Sequence, residues 1–191
     1  MPLPWVTPDP ARATETPMTA AHDPDAETTS TVAISTPVGR LLITGDDASI
    51  VRVAWSNEDA QSDLSSAKPV VAEAVRQLHA YFDGSLTTFD LPIELSGVSA
   101  SARAVLTALH RDVPSGTTVT YGQLATMSGT GIPARSVGSI MGINPTPLLI
   151  PCHRVVAGDG LGGFSGGLPG EGLATKRWLL EFEGALPPTL F

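Results

Sequence analysis

From Thr31 the chain carries three short runs rich in apolar and β-branched residues: TVAIS (31–35), RLLIT (40–44) and SIVRVAW (49–55). Turn formers separate them, first Pro37-Val38-Gly39 and then Gly45-Asp46-Asp47, so the pattern predicts an antiparallel meander. At Pro69 the period changes. Val71, Ala74, Val75, Leu78, Tyr81 and Phe82 fall on one face of a helix that Gly84 stops. Residues 87–95 predict a further strand. Beyond Gly97 the pattern is helical again, over 99–111 with Val105, Leu106 and Leu109 on one face, then over 120–128 and 133–143. Thr120 is the expected N-cap of the second of these, Gly129 its end, and Pro133 the opening of the third. Two short helices joined by Gly129-Thr130-Gly131-Ile132 predict a helix-turn-helix. An irregular stretch rich in Pro and Gly fills 144–172, and a last amphipathic helix spans 173–183 before Gly184.

These elements divide the chain into a small N-terminal α/β unit (31–97) and a C-terminal helical unit (98–185), an α+β organisation with a short tail at 186–191. Residues 1–30 are rich in Pro, Thr, Ala and Asp without periodicity, and an acidic disordered tail is expected there, with Trp5 and Val6 as its sole candidate anchor. No apolar run approaches the roughly 20 residues that span a bilayer. The N-terminus lacks a basic start and a compact apolar stretch, so no secretory signal and a cytoplasmic location are expected.

Charge changes the picture. A net −8 opposes binding to phosphates. The charge is uneven, however: 1–30 holds five acids and one Arg, 31–97 nine acids and four bases, and 98–191 five acids and six bases. Only the helix-turn-helix half is permissive for nucleic acid.

The chemistry concentrates in one loop, where Pro145, Pro147 and Pro151 stiffen the backbone around Cys152, the chain's single cysteine, followed by His153 and Arg154. A single cysteine excludes an internal disulfide and a thiolate zinc cluster, and a free thiol suits a reducing compartment. Cationic or basic neighbours lower a thiol pKa, and His153 is placed to take its proton. Lone cysteines are more often inert small hydrophobes, and Cys-His alone also fits a cysteine hydrolase.

Further blocks narrow the choice. Tyr121-Gly122-Gln123-Leu124-Ala125, Ala134-Arg135-Ser136-Val137-Gly138, Asn144-Pro145 and Ile150-Pro151-Cys152-His153-Arg154-Val155-Val156 closely resemble the O6-alkylguanine-DNA alkyltransferases, also called methylated-DNA–protein-cysteine methyltransferases. Gly163-Phe164-Ser165-Gly166-Gly167 and Lys176-Arg177-Trp178-Leu179-Leu180 with Glu183 complete the order. The resemblance is strong over 115–185. It is looser before, through Thr36-Pro37-Val38-Gly39 and Tyr81-Phe82-Asp83-Gly84. Six blocks in order are far more specific than any one alone.

The resemblance implies a ribonuclease-H-like N-terminal domain and a winged-helix-like alkyltransferase domain. It makes Cys152 the alkyl acceptor, His153 its base through a water, and Glu183 the group that orients the imidazole. Tyr121 would donate to guanine N3 and Ser165 to O6, while the backbone carbonyls of Cys152 and Val155 read the exocyclic amine. Phe164 would wall the pocket, and Lys176 is carried over as a further pocket residue. Asn144 would tie the second helix of the helix-turn-helix to the cysteine loop. Arg135 would fill the gap left by a flipped base, flanked by Ala134 and Ser136, whose size allows close approach to the minor groove.

The implied partner is double-stranded DNA carrying O6-alkylguanine, with O4-alkylthymine as second substrate, bound by a monomer, with no cofactor, metal or membrane. Three departures stand out: Phe164 where many members have tyrosine, a longer 167–172 loop, and Ala100-Ser101 with Val105-Leu106 where Phe-Gln and Val-Trp are usual. The rival readings are a non-catalytic alkyl-lesion sensor, whose known forms lack the cysteine, and an alkylation-responsive regulator, which calls for a second cysteine set.

Overall fold

The meander forms as expected. In the computed structural model, which describes residues 29–57 and 64–188, strands β1 (Ser30–Thr36), β2 (Gly39–Gly45) and β3 (Ile50–Trp55) make an antiparallel sheet in the order β1-β2-β3. Strand alternation puts Val32, Ile34, Leu41, Ile43 and Val53 on one buried face. Helix α1 (Pro69–Phe82) covers that face with Val71, Ala74, Val75, Leu78 and Tyr81. Gly39, at φ +101, closes the β1–β2 turn, a conformation that favours glycine. The tail expectation lies outside the described residues up to position 28. Ser30 itself opens β1, and its hydroxyl caps the Lys68 amide at 2.9 Å.

The strand expected over 87–95 does not form. A single parallel bridge joins Ile93 to Ile50, flanked by hydrogen bonds from Ile50 N–H to Pro92 O and from Glu94 N–H to Ile50 O. Pro92 has no amide to donate, and the Asp90 amide is taken by the Gln77 side chain at 2.9 Å, so no ladder can propagate.

In the second half, Ser99 caps α2 (Ala100–Asp112) by accepting from the Ala102 amide. Thr120 and Gln123 form a full capping box at the start of α3 (Tyr121–Met127). The turn to α4 (Ala134–Gly142) passes through Gly129 and Gly131, both at positive φ, and the helix-turn-helix forms as expected. Helix α5 (Gly172–Phe182) ends with Glu183 at its C-cap. A parallel pair that the pattern did not reveal, β4 (Val119–Thr120) with β5 (Val155–Val156), joins the start of α3 to the residues after the cysteine.

Two apolar cores result. The first lies between the sheet and α1, the second among α2, α3 and α4, where Val105 and Leu106 are fully buried. The cysteine loop runs along their seam. Leu148 and Leu149 enter the first core, Ile150 and Cys152 the second.

Candidate active site

The cysteine loop is held from both sides. Pro145 O accepts from the Val53 amide of β3 at 2.9 Å, and Asn144 Nδ2 donates to Ile150 O at 2.8 Å. Leu148 sits at φ 73, a left-handed conformation that costs a branched residue about 1–3 kcal/mol and persists only where packing dictates it. Its burial at 1 % exposure supplies that packing. The loop then closes in a 3-10 turn, Cys152–Arg154, whose three residues are all buried.

Cys152 is 4 % exposed. Burial pushes its thiol above the ordinary value, against the Asn144 side-chain hydrogen bond, the Lys176 charge and the amides of Cys152 and His153. The expectation that cationic neighbours lower this pKa is therefore corrected, because desolvation outweighs them. Arg154 does not act on the sulfur. Its guanidinium turns away to Glu183 and to Val113 O, the latter at 2.7 Å.

His153 Nε2 lies 2.9 Å from Glu183 Oε1, and both side chains are 1 % exposed. Glu183 is thus no solvated helix-end charge. Its carboxylate also accepts from Arg154 Nε at 2.9 Å, Arg154 Nη2 at 2.8 Å and the Tyr81 hydroxyl at 2.8 Å. Burial would raise its pKa, yet the His153 and Arg154 hydrogen bonds bring it down to about 2. Burial lowers the His153 pKa, the Glu183 carboxylate opposes this, and Arg154 and Lys176 add to the lowering. A neutral imidazole donating Nε2–H to Glu183 leaves its lone pair on Nδ1, which has no hydrogen-bond partner among the described residues. The arrangement can accept a proton there.

Cys152 forms part of the lining of a cavity of about 250 Å³ with Tyr121, Gly138, Met141, Phe164 and Ser165. That is smaller than the roughly 300 Å³ floor of drug-sized sites, and suits one small ring system. The Tyr121 hydroxyl is 3.5 Å from Gly163 O, and Ser165 is exposed at the mouth. A second cleft of about 230 Å³ reaches the cysteine from the N-terminal side, past Arg52, Trp55, Asn144 and Pro147. The Phe164 ring stands edge-on to Trp55 and over Gly166, where a Cβ would lie 2.5 Å from the ring.

Lys176 is completely buried and donates to Val155 O at 2.6 Å and Gly163 O at 3.0 Å. Burial lowers its pKa to about 8. The two carbonyls expected to read an exocyclic amine each already hold one protein donor, Lys176 on Val155 O and the Val155 amide on Cys152 O. A second lone pair stays available on each.

Arg135 projects into solvent from the first turn of α4, with exposed Ala134 before it and half-buried Ser136 after it. The buried face of the same helix carries Val137, Ile140 and Met141, and Met141 continues into the cavity wall. The sequence pattern places Tyr81 in the core face of α1 and Arg154 beside the thiol. Glu183, which accepts from both, lies 102 and 29 positions away, and no local spacing signals either contact.

Fold and site define a class: a helix-turn-helix protein whose second helix adjoins a buried cysteine beside a carboxylate-held histidine. Residues 100–185 match the family described as 6-O-methylguanine DNA methyltransferase, DNA binding domain, and residues 31–95 the one described as 6-O-methylguanine DNA methyltransferase, ribonuclease-like domain. The chain belongs to the methylated-DNA–protein-cysteine methyltransferase family. A Mycobacterium bovis protein of that name is 34% identical over 165 residues, covering 83% of this chain and 96% of its own length. A Methanopyrus kandleri protein of that name is 47% identical over 113 residues, covering 59% of this chain and 79% of its own. The crystal structure of Mycobacterium tuberculosis OGT in complex with DNA superposes with a TM-score of 0.68 at 34% identity, covering 80% of this chain and 91% of that one.

Proposed function

We propose that the chain repairs DNA by direct reversal, moving the alkyl group of O6-alkylguanine, and of O4-alkylthymine, irreversibly onto Cys152. The observation that carries this reading is Cys152 itself, which lines the cavity beside α4 and immediately precedes the His153 held by Glu183.

The lesion lies inside a duplex, so the nucleotide is flipped out, at an unstacking cost of a few kcal/mol. Arg135 fills the vacated stack from the minor groove, with Ala134 and Ser136 keeping the helix close to the backbone. Tyr121 donates to guanine N3, Ser165 to O6, and the carbonyls of Cys152 and Val155 accept from the exocyclic amine. Phe164 and Met141 wall the ring, Lys176 holds the Val155 and Gly163 carbonyls, and Asn144 couples α4 to the cysteine loop.

Because burial disfavours a standing thiolate, the proton leaves as the base arrives. His153 Nδ1 takes it, directly or through a water, while Glu183 stabilises the resulting imidazolium. The sulfur attacks the alkyl carbon and the carbon–O6 bond breaks. Its electron pair passes into the purine, which Tyr121 protonates or hydrogen-bonds at N3. The products are an S-alkylcysteine and guanine, and the balance calls for no cofactor. A thioether has no ready leaving chemistry, so each monomer acts once. A cytoplasmic setting fits the free thiol, and no described helix is long and apolar enough to cross a membrane.

Incubating the protein with a duplex carrying O6-methylguanine is expected to add one methyl mass per chain, mapped to Cys152, while the DNA regains guanine. Cys152→Ala is expected to bind the lesion and transfer nothing. Turnover beyond one lesion per chain, or transfer by Cys152→Ala, would sink the mechanism. Lesion binding without an adduct in the wild type would favour the sensor reading.

A further inference from the structure

We propose that Tyr81 is a positioning residue of the transfer reaction, through which the N-terminal half of the chain sets the basicity of His153. The inference rests on the relay reading above and adds a member from the other side of the domain seam. Tyr81 sits in the last turn of α1, is 2 % exposed, and donates to Glu183 Oε1 at 2.8 Å. The same oxygen accepts from His153 Nε2 and Arg154 Nη2, so three donors share it. Oε2 accepts from Arg154 Nε.

Donors on one oxygen compete for its charge. Each hydrogen bond to a carboxylate stabilises the anion and weakens its pull on the other protons it holds. The Tyr81 hydroxyl thus draws negative charge from the oxygen that His153 uses. It keeps the imidazole less basic than a two-donor Oε1 would. The other groups facing this cluster are Cys152 and Arg154 from the 3-10 turn and Lys176 from α5, and Tyr81→Phe removes no charge from any of them. The phenol's own proton is secure, because burial and the Glu183 charge push its pKa far above the ordinary value.

The hydroxyl is also separable from packing. The Tyr81 ring is held by Phe82 at 5.0 Å, Phe89 at 5.3 Å and Phe182 at 5.4 Å, and a phenylalanine keeps all three contacts. In Tyr81→Phe the two remaining donors leave Oε1 more negative, the imidazolium form of His153 is favoured, and a base that must be neutral titrates at higher pH.

The test is the rate of methyl transfer from duplex O6-methylguanine as a function of pH, with thermal melts alongside. In Tyr81→Phe the acid limb is expected to move to higher pH. The rate is expected to fall about fivefold near neutrality, the worth of one hydrogen bond, and to recover as pH rises. Fluorotyrosine placed at position 81, a stronger donor of the same shape, is expected to move the limb the opposite way. It decides the matter alone if Tyr81→Phe does not fold. Limbs that superpose on the wild type for the folded variants would overturn the role of Tyr81 while leaving the relay standing. A wild type that forms no Cys152 adduct would instead overturn the relay reading and this inference with it.

Discussion

Phe164 concentrates what one side chain contributes to this site. Its ring stands 6.1 Å from Trp55 at 82° and lies over Gly166, which has no room for a side chain. Phe164→Tyr keeps the stacking area and adds a hydroxyl typically worth ~1 kcal/mol, so the transfer rate is expected to change by less than about tenfold. Single-turnover kinetics on the methylated duplex check this. A thousandfold drop would mean that the ring tip has no space beside Gly166 for the extra oxygen. At this scale Cys152, His153 and Glu183 were legible because the block order names them. The thiol's upward shift was not, since burial depends on what Ile150, Val155 and α2 bring around it. Nor was Arg154 holding Glu183, because a guanidinium two residues after a cysteine can point anywhere once the chain turns.

Helix α4 has two faces with separate tasks, apolar toward the cavity and exposed at Arg135. If Arg135 stabilises the flipped state, Arg135→Ala is expected to slow repair in duplex DNA by about tenfold or more, as loss of roughly 1–3 kcal/mol implies, and to leave transfer from free O6-alkylguanine base near the wild-type rate. Parallel rate measurements on the two substrates check it. Equal slowing on both would place Arg135 in the chemistry or the fold instead. The helix-turn-helix was readable because the Thr120 cap, the Gly129 and Gly131 turn and Pro133 are local signals. The strand expected over 87–95 was misread for the opposite reason: its composition suits a sheet, but Pro92 and the Gln77 side chain remove the donors a ladder needs. The β4–β5 pair is two residues long in each strand, too short to carry a pattern, yet it pairs Val119 with Val155 and Thr120 with Val156, tying the residues just before Tyr121 to those just after the cysteine turn.

Over the whole molecule, charge and proton linkage give two further expectations. The first 28 residues carry −4 in an otherwise −4 chain. Deleting them, and stopping short of Ser30 because its hydroxyl accepts from the Lys68 amide just before α1, is expected to leave repair intact and tighten DNA binding modestly, most visibly at low salt. Affinity at two salt concentrations checks this, and loss of folding would show that the segment is structural. The second expectation is an asymmetric response to pH. Glu183, held at about 2 against an ordinary 4.5, contributes stability that is full above 4.5 and is lost as pH falls toward 2. His153 is buried below its ordinary 6.5, so the unfolded chain takes up its proton first, and stability falls as pH drops under 6.5. These two add. On the alkaline side the signs oppose. Lys176, at about 8 against 10.5, makes stability rise between those values, because the unfolded chain still holds a proton that the fold has released. Cys152, raised above its ordinary 9.0, makes it fall above 9, because the unfolded thiol ionises first. Thermal melts from pH 5 to 10 are therefore expected to show a melting temperature that declines below 6.5, climbs from 8 to 9 where Lys176 acts alone, and levels off above 9 where the thiol opposes it. In Cys152→Ala the opposing thiol contribution is gone, so the melting temperature is expected to climb from pH 8 to 10. A level alkaline profile in that variant would mean that Lys176 keeps its ordinary affinity for a proton inside the fold.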